Sequence, residues 1–256
     1  MELKFIGTGS GKTSLKRYHS SFLINSGEYN LLVDAGDGVS RALINQKILF
    51  NFINGILISH LHPDHYTGLP SLIVQMKMNN RESPLDIFCE AGNFEFLKEF
   101  IYQSFLFEGK LGFKLNVKSF GRNEALEITD GFGFSANQNS HLNQYINFDT
   151  NKRLTFPCSS FLLNVEQKNI FYTGDIGEYK DLFLFEGNKI DIMISEITHI
   201  KTDELLEAFR RLKPEKLFLT HLSEEDEAHL SKLSFQLPAA ERRKVIAAFD
   251  GLNVKI

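Results

Sequence analysis

Tryptophan is absent from this chain of 256 residues, cysteine occurs only twice and proline six times. Two cysteines, Cys89 and Cys158, cannot form a disulfide framework, so stability has to come from a hydrophobic core. No apolar run approaches the roughly 18 residues that a membrane helix needs. The opening MELKFIGTGS lacks the basic segment and apolar stretch of a secretory leader. An excess of one charge is missing too: 28 Lys and Arg stand against 32 Asp and Glu, a net charge of −4. That balance offers no global reason for binding nucleic acid or membrane. Repeats, low-complexity tracts and Pro/Ser-rich linkers are also lacking. These absences lead us to expect a soluble cytoplasmic protein with free thiols, no membrane partner, and a single domain over residues 1–256.

Apolar bulk and short-period patterning are what the chain does have. Its 24 phenylalanines are spread along the whole length, and 43% of residues are hydrophobic. That is enough to bury a large core. In the first third, residues 3–7, 21–25 and 30–34 read as strands, with turns at 7–11 and 26–28. Residues 39–46 are helix-like, 55–59 form a short run typical of a buried strand, and 69–77 look helical. The middle reads as a strand at 85–89, a helix at 93–105, then strands at 113–117, 125–128, 132–136, 159–165 and 169–172. The end alternates: strand 191–194, helix 202–212, strand 216–220, a helical stretch from 224, and strand 245–249. Leu205, Ala208, Phe209 and Leu212 share one helical face. The central strands have no helices between them, as in antiparallel meanders. Two packed sheets with helices outside therefore suit the order better than a doubly wound parallel sheet.

The chemistry is concentrated in Ser59-His60-Leu61-His62-Pro63-Asp64-His65. Four metal-competent side chains lie within six residues, directly after an apolar run, in a chain with only eight histidines. His60 and His62, at i and i+2, point to the same side of an extended segment. Pro63 bends the chain, so Asp64 and His65 can address a second point. Imidazole and carboxylate are ligands that Zn²⁺ and similar ions take.

This HxHxDH segment resembles the signature of the metallo-β-lactamase superfamily. The resemblance implies an α/β (α+β) fold, a four-layer αββα sandwich with metals at one edge of the sheets and further ligands at ends of later strands. Asn139-Ser140-His141 looks like the third histidine of the first metal, Gly174-Asp175 like the bridging aspartate, and Thr220-His221 like the last histidine. Phe249-Asp250-Gly251 is similar to the family's closing turn. The resemblance thus implies His60, His62 and His141 on one ion, Asp64, His65 and His221 on another, and Asp175 between them. Two divalent ions, zinc first with manganese or iron as alternatives, are the implied cofactors. Two such ions carry +4, two aspartates return −2, and a bridging hydroxide leaves about +1, which favours an anionic substrate.

Asp175 stands where zinc β-lactamases carry cysteine, which argues against antibiotic hydrolysis. The stretches Phe5–Gly11, Arg17–Ser21, Val33–Gly38 and His62–Leu69 resemble the ribonuclease Z-like branch, which acts on phosphodiesters, including precursor transfer RNA and cyclic nucleotides. Only 33 residues separate His141 from Asp175, with no Gly- or Lys-rich arm for gripping transfer RNA. In Ser195-Glu196-Ile197-Thr198-His199, His199 is the candidate proton donor to the leaving group, held by Glu196; the alternative is a surface histidine after a strand. Catalysis is thus expected from Asp64 and His199. The expected substrate is a small anionic or phosphodiester molecule, RNA stays open, and a homodimer is among the expectations. A lactonase or thioesterase on the same metals, and a catalytically silent metal-binding module, are the alternatives.

Gly7-Thr8-Gly9-Ser10-Gly11-Lys12-Thr13 imitates a phosphate-binding loop, but that motif needs glycine where Ile6 stands and a helix afterwards. Lys12, Lys16 and Arg17 read as a solvated basic loop, with contact to a substrate phosphate as the alternative. His229 reads as an exposed helix residue, and the acidic run from Glu224 as charge at a helix N-terminus.

Overall fold

A computed structural model of the chain describes all residues except 28, 227–229 and 231–236. His229, and most of the helical stretch expected from residue 224, lie outside the described residues. Two compact units emerge: Met1–Gly121 with Phe249–Ile256, and Arg122–Ala248.

The first unit is built on a seven-stranded mixed sheet in the order β14-β1-β2-β3-β4-β5-β6. Its strands are β1 (Glu2–Gly7), β2 (Ser21–Asn25), β3 (Asn30–Val33), β4 (Gly55–Leu57), β5 (Leu85–Glu90), β6 (Leu115–Phe120) and the C-terminal β14 (Asn253–Lys255). β14, β1, β2 and β3 pair antiparallel, and β3 to β6 run parallel. In β3 and β4 the residues Leu31, Leu32, Val33, Ile56 and Leu57 are wholly buried. Continuous apolar runs of this kind belong to parallel strands covered on both faces. Helices α1 (Val39–Asn45), α2 (Pro63–Tyr66), α3 (Leu69–Met78), α4 (Phe94–Gln103) and α5 (Glu108–Leu111) join the parallel strands. Val39, Ala42, Leu43, Leu69, Leu72, Ile73 and Met76 close one core with Leu32, Ile56 and Ile87.

The second unit holds another seven-stranded sheet, β13-β12-β11-β10-β9-β8-β7. β7 (Glu124–Thr129), β8 (Phe132–Gln138), β9 (Ser159–Val165) and β10 (Lys168–Tyr172) form the expected antiparallel meander. β11 (Ile192–Glu196), β12 (Lys216–Thr220) and β13 (Val245–Ala247) continue it in parallel. In β8, Phe132, Phe134 and Ala136 are buried and alternate with half-buried neighbours, the period of two expected of a strand. Helix α6 (Thr202–Leu212) buries Leu205, Leu206, Ala208 and Phe209 against Phe171, Met193 and Leu217. A last short helix, α7 (Ala239–Arg242), precedes β13.

Three differences from the sequence expectation have physical causes. The strand expected at 30–34 stops at Val33, because Asp34 takes a left-handed backbone with φ 59°. The strand expected at 113–117 lies at Leu115–Phe120: Phe113 packs into the core instead, and Lys118 and Ser119 extend the ladder on β5. β14 was not expected, because three residues reading Asn-Val-Lys carry little apolar signal; it exists by pairing with Glu2–Lys4.

Phe171 is fully buried in β10 and its ring centroid lies 5.4 Å from that of Phe185. Phe171→Ala is expected to lower unfolding free energy by about 3–5 kcal/mol, through lost burial and a residual cavity. A urea titration followed by far-UV circular dichroism measures this, and a loss under about 1 kcal/mol contradicts the packing described.

Candidate metal centre

The predicted ligands fall at the C-terminal ends of strands, where α/β sheets place their ligand loops. In the first unit, β4 ends at Leu57 and the chain runs on through Ser59, His60 and His62 in extended form into α2. Pro63 occupies the first position of α2, where its missing N–H is no loss, so Asp64 and His65 leave the extended segment on a helical turn. His60 and His65 are fully buried, Asp64 nearly so, and His62 is half-buried. The His60 ring lies 4.7 Å from that of His62 and 4.1 Å from that of His65, between centroids.

One buried carboxylate orders this cluster. Asp34 Oδ2 is 2.8 Å from His65 Nδ1 and accepts from Ser59 Oγ at 2.9 Å, while its Oδ1 accepts from the Ser59 N–H at 2.8 Å. Ser59 Oγ in turn lies 3.1 Å from His60 Nδ1. With Nδ1 held on a carboxylate, Nε2 is the atom left for coordination, the usual carboxylate–histidine arrangement of metal sites. His65 Nε2 is 3.5 Å from Asp64 Oδ2. The left-handed backbone of Asp34 costs of order 1–3 kcal/mol and needs the surrounding structure to hold it. Behind it, a Cβ on Gly36 would come within 2.0 Å of the Asp64 carbonyl oxygen, so the ligand loop closes only over glycine.

In the second unit, β8 leads to His141, β10 to Asp175, β11 to Glu196 and His199, and β12 to His221. His141, Asp175 and His221 are all buried. Asp175 Oδ2 lies 3.7 Å from His141 Nε2 and 3.3 Å from His221 Nε2. Metal–ligand bonds of about 2.0–2.2 Å at a tetrahedral angle put ligand atoms about 3.4 Å apart, so the spacing of each His–Asp pair suits metal coordination. Thr198 Oγ1 donates to the His221 carbonyl at 2.7 Å and lies 3.2 Å from its Nδ1, leaving Nε2 toward Asp175. His221, like Asp34, has a left-handed backbone, φ 57°.

Glu196, 1% exposed, ties His199 to the Asp175 loop. Its Oε1 accepts from the Ile176 N–H at 3.1 Å and sits 2.9 Å from His199 Nδ1; its Oε2 accepts from the N–H groups of Thr198 and His199. The His199 ring lies 4.7 Å from that of His141, and its side chain is 33% exposed. Glu196, His199 and His221 form a further group with metal-ligand spacing. Sequence reasoning singled out Glu196 and His199 but gave Asp34, Thr198 and Ser59 no role. Asp34 was visible only as part of a strand-end motif, and its contact with His65 spans 31 residues.

Other expectations resolve as follows. Asp250 accepts from Thr8 N, Thr8 Oγ1 and Tyr18 N, so it is a structural clasp for the loop after β1. Burial lifts its carboxyl above the ordinary carboxylate range, and those hydrogen bonds, with the nearby Arg17, pull the other way. Arg17 Nη1 donates to Thr8 Oγ1 at 2.6 Å, so Arg17 also serves this loop. The Gly7–Gly11 segment connects antiparallel β1 and β2 with no helix after it, which is not a phosphate-binding loop. Cys89 and Cys158 are buried and form no disulfide, and Cys158 Sγ donates to the Asp175 carbonyl at 3.7 Å. Burial and the neighbouring Glu90 push the Cys89 thiol up to about 12, so it carries no thiolate at neutral pH.

The model of the family described as the Anti-Pycsar protein Apyc1 matches residues 1–244. The chain belongs to that family. This Apyc1-family chain is also 38% identical over 105 residues to ribonuclease Z of Saccharolobus solfataricus, a match covering 41% of this chain and 35% of that protein. The match thus spans about a third of the relative's length. Among solved structures, the short form of human tRNase Z covers the whole chain with a TM-score of 0.74 at 20% identity, and 99% of its own chain is matched. The metallo-beta-lactamase fold protein YhfI from Bacillus subtilis gives 0.74 at 18% identity, covering 99% of this chain and 98% of its own. These likenesses show the fold expected from the sequence, the αββα class of metallo-β-lactamase proteins.

Asparagine tolerates a left-handed backbone and preserves the shape of Asp34 while removing its charge. Asp34→Asn is expected to weaken divalent-metal affinity about tenfold or more, as changes behind a ligand histidine do. Competition with a chelating dye measures this, and an unchanged affinity contradicts the role given to Asp34.

Proposed function

We propose that the chain is a dinuclear metal-dependent phosphodiesterase, working as one domain over residues 1–256. His60, His62, His141 and Asp175 would take one ion, and Asp64, His65, Asp175 and His221 would take the other, two groups whose donor atoms lie close enough for it. The observation that carries this reading is Asp175 Oδ2, approached by one histidine of each set at 3.7 and 3.3 Å. Such spacing supports a carboxylate that would be shared by both ions. Membership of the Apyc1 family, and the match to about a third of ribonuclease Z, support the same chemistry.

When bound, such ions draw charge from a phosphoryl oxygen and bring the pKa of a bound water toward about 7. The side chains supply the rest. Asp64 accepts a proton from the attacking water. His199 takes the proton-donor role: Glu196 holds its Nδ1, so its Nε2 proton is the one available to the departing oxygen. The Glu196 carboxylate also stabilises the imidazolium that this role requires.

The substrate we propose is a small anionic phosphodiester of the cyclic-nucleotide kind. The span of 33 residues between His141 and Asp175 carries no long arm for transfer RNA, which weighs against a large RNA. Zinc is the ion we propose, because His and Asp donors suit it. We place the protein in the cytoplasm, a reading supported by two buried cysteines that form no disulfide. Among the described residues no helix is long and apolar enough to cross a membrane. A homodimer is part of this proposal, following the ribonuclease Z-like resemblance.

Purified protein is expected to hold close to two divalent ions per chain and to hydrolyse bis(p-nitrophenyl) phosphate. Asp175→Ala is expected to reduce that turnover to background while circular dichroism stays native. Full activity in this variant, or hydrolysis of lactones alone, overturns the reading. His199→Ala is expected to leave turnover of p-nitrophenyl esters, whose leaving group needs little protonation, almost unchanged. On a phosphodiester with an alkoxide leaving group it is expected to lower kcat by about 10²-fold or more. Equal losses on both substrates exclude His199 as the proton donor.

A further inference from the structure

One buried carboxylate outside the ligand set joins the two loops that carry His141 and Asp175. Asp181 is 2% exposed and lies in a short helical turn, Tyr179–Phe183. Its Oδ2 accepts from Ser140 N at 3.1 Å, Ser140 Oγ at 2.6 Å, Gly177 N at 3.0 Å and Glu178 N at 3.1 Å. Ser140 directly precedes His141, and Gly177 follows Asp175 by two residues. Four donors on one oxygen thus fix the two ligand loops to a common point. The fit is close: a Cβ on Gly177 would stand 2.6 Å from the Ser140 carbonyl carbon and oxygen. Asn139 reinforces the junction from the other side, its Oδ1 accepting from His141 N and its Nδ2 donating to Ser160 Oγ and the Thr173 carbonyl.

We infer that Asp181 is a positioning residue that sets the separation of His141 Nε2 from Asp175 Oδ2, and so the bite of the metal centre. The inference rests on the dinuclear reading above. Neither ligand loop can satisfy Asp181 alone: two of its donors come from the His141 side and two from the Asp175 side. Loss of the carboxylate frees one loop from the other and leaves the Ser140, Gly177 and Glu178 donors to find new partners. A ligand pair displaced by even a fraction of an ångström binds a borderline divalent ion more weakly, without any ligand being removed.

The test uses the full-length protein loaded with cobalt(II), whose visible absorption reports ligand geometry. Asp181→Ala is expected to weaken cobalt affinity about 10- to 100-fold, measured against a chelating dye, and to change the band shape and intensity. Asp181→Asn keeps an acceptor oxygen of the same reach and is expected to recover part of that loss. Gly177→Ala removes no polar group, but should shift the spectrum by pushing Ser140 away. Ser140→Ala, the mildest change, removes only the 2.6 Å donor and should weaken affinity a few-fold. If Asp181→Ala does not fold, the other three variants decide the matter. A residue with only a structural role would lower the melting temperature of the metal-free protein while leaving affinity and spectrum as in the parent, and that result overturns the inference. A parent protein that binds no cobalt overturns the dinuclear reading along with it.

Discussion

The carboxylate of Asp34 has no exposed surface, and a charge in that position is tolerated only when hydrogen bonds replace the water it has lost. Ser59 and His65 supply them, and in doing so they are themselves held. The same exchange recurs at Glu196, which gathers Ile176, Thr198 and His199, and at Asp181, which gathers Ser140, Gly177 and Glu178. Each buried carboxylate satisfies backbone N–H groups of loops that no longer belong to a strand or a full helix. The loops carry the candidate ligands; the carboxylates give them a fixed shape.

That constraint explains why strain gathers here. Asp34 and His221 both hold left-handed backbones, at 59° and 57°, although neither is glycine. Such conformations persist only where neighbours over-determine them. Asp34 is anchored through its own side chain, and His221 through Thr198, which touches both its ring and its carbonyl. In each unit the strand preceding the strained residue, β3 or β12, is buried and held on both sides by ladder hydrogen bonds. A stiff strand followed by one strained residue turns the chain sharply at each of these strand ends.

The chemistry divides between groups that bind and groups that aim. Histidines and aspartates present donor atoms at spacings suited to metal coordination, while Asp34, Thr198, Glu196 and Asp181 choose which nitrogen or oxygen faces inward. Glu196 also holds His199, whose side chain is 33% exposed. Both cysteines are buried: Cys158 Sγ donates to the Asp175 carbonyl at 3.7 Å, and Cys89 remains a neutral thiol.

Much of this was legible in the amino-acid order. The HxHxDH run, the apolar strand before it and the Gly-Asp and Thr-His pairs at later strand ends are local patterns, and local patterns follow from backbone periodicity and residue chemistry. The central meander of β7 to β10 and the amphipathic α6 were readable for the same reason. What stayed hidden depends on contacts across long separations. Asp34 reaches His65 across 31 residues, and Asp181 reaches Ser140 across 41. A carboxylate's neighbours, and whether it is buried at all, are set by how distant strands align. The three-residue β14 is another such case, a strand only because β1 offers it an edge. The amino-acid sequence by itself thus determined which residues are chemically able to hold metal and which strands precede them. The tertiary structure decided that Asp34 and Asp181 orient them, because that choice is made by packing between segments remote in the chain.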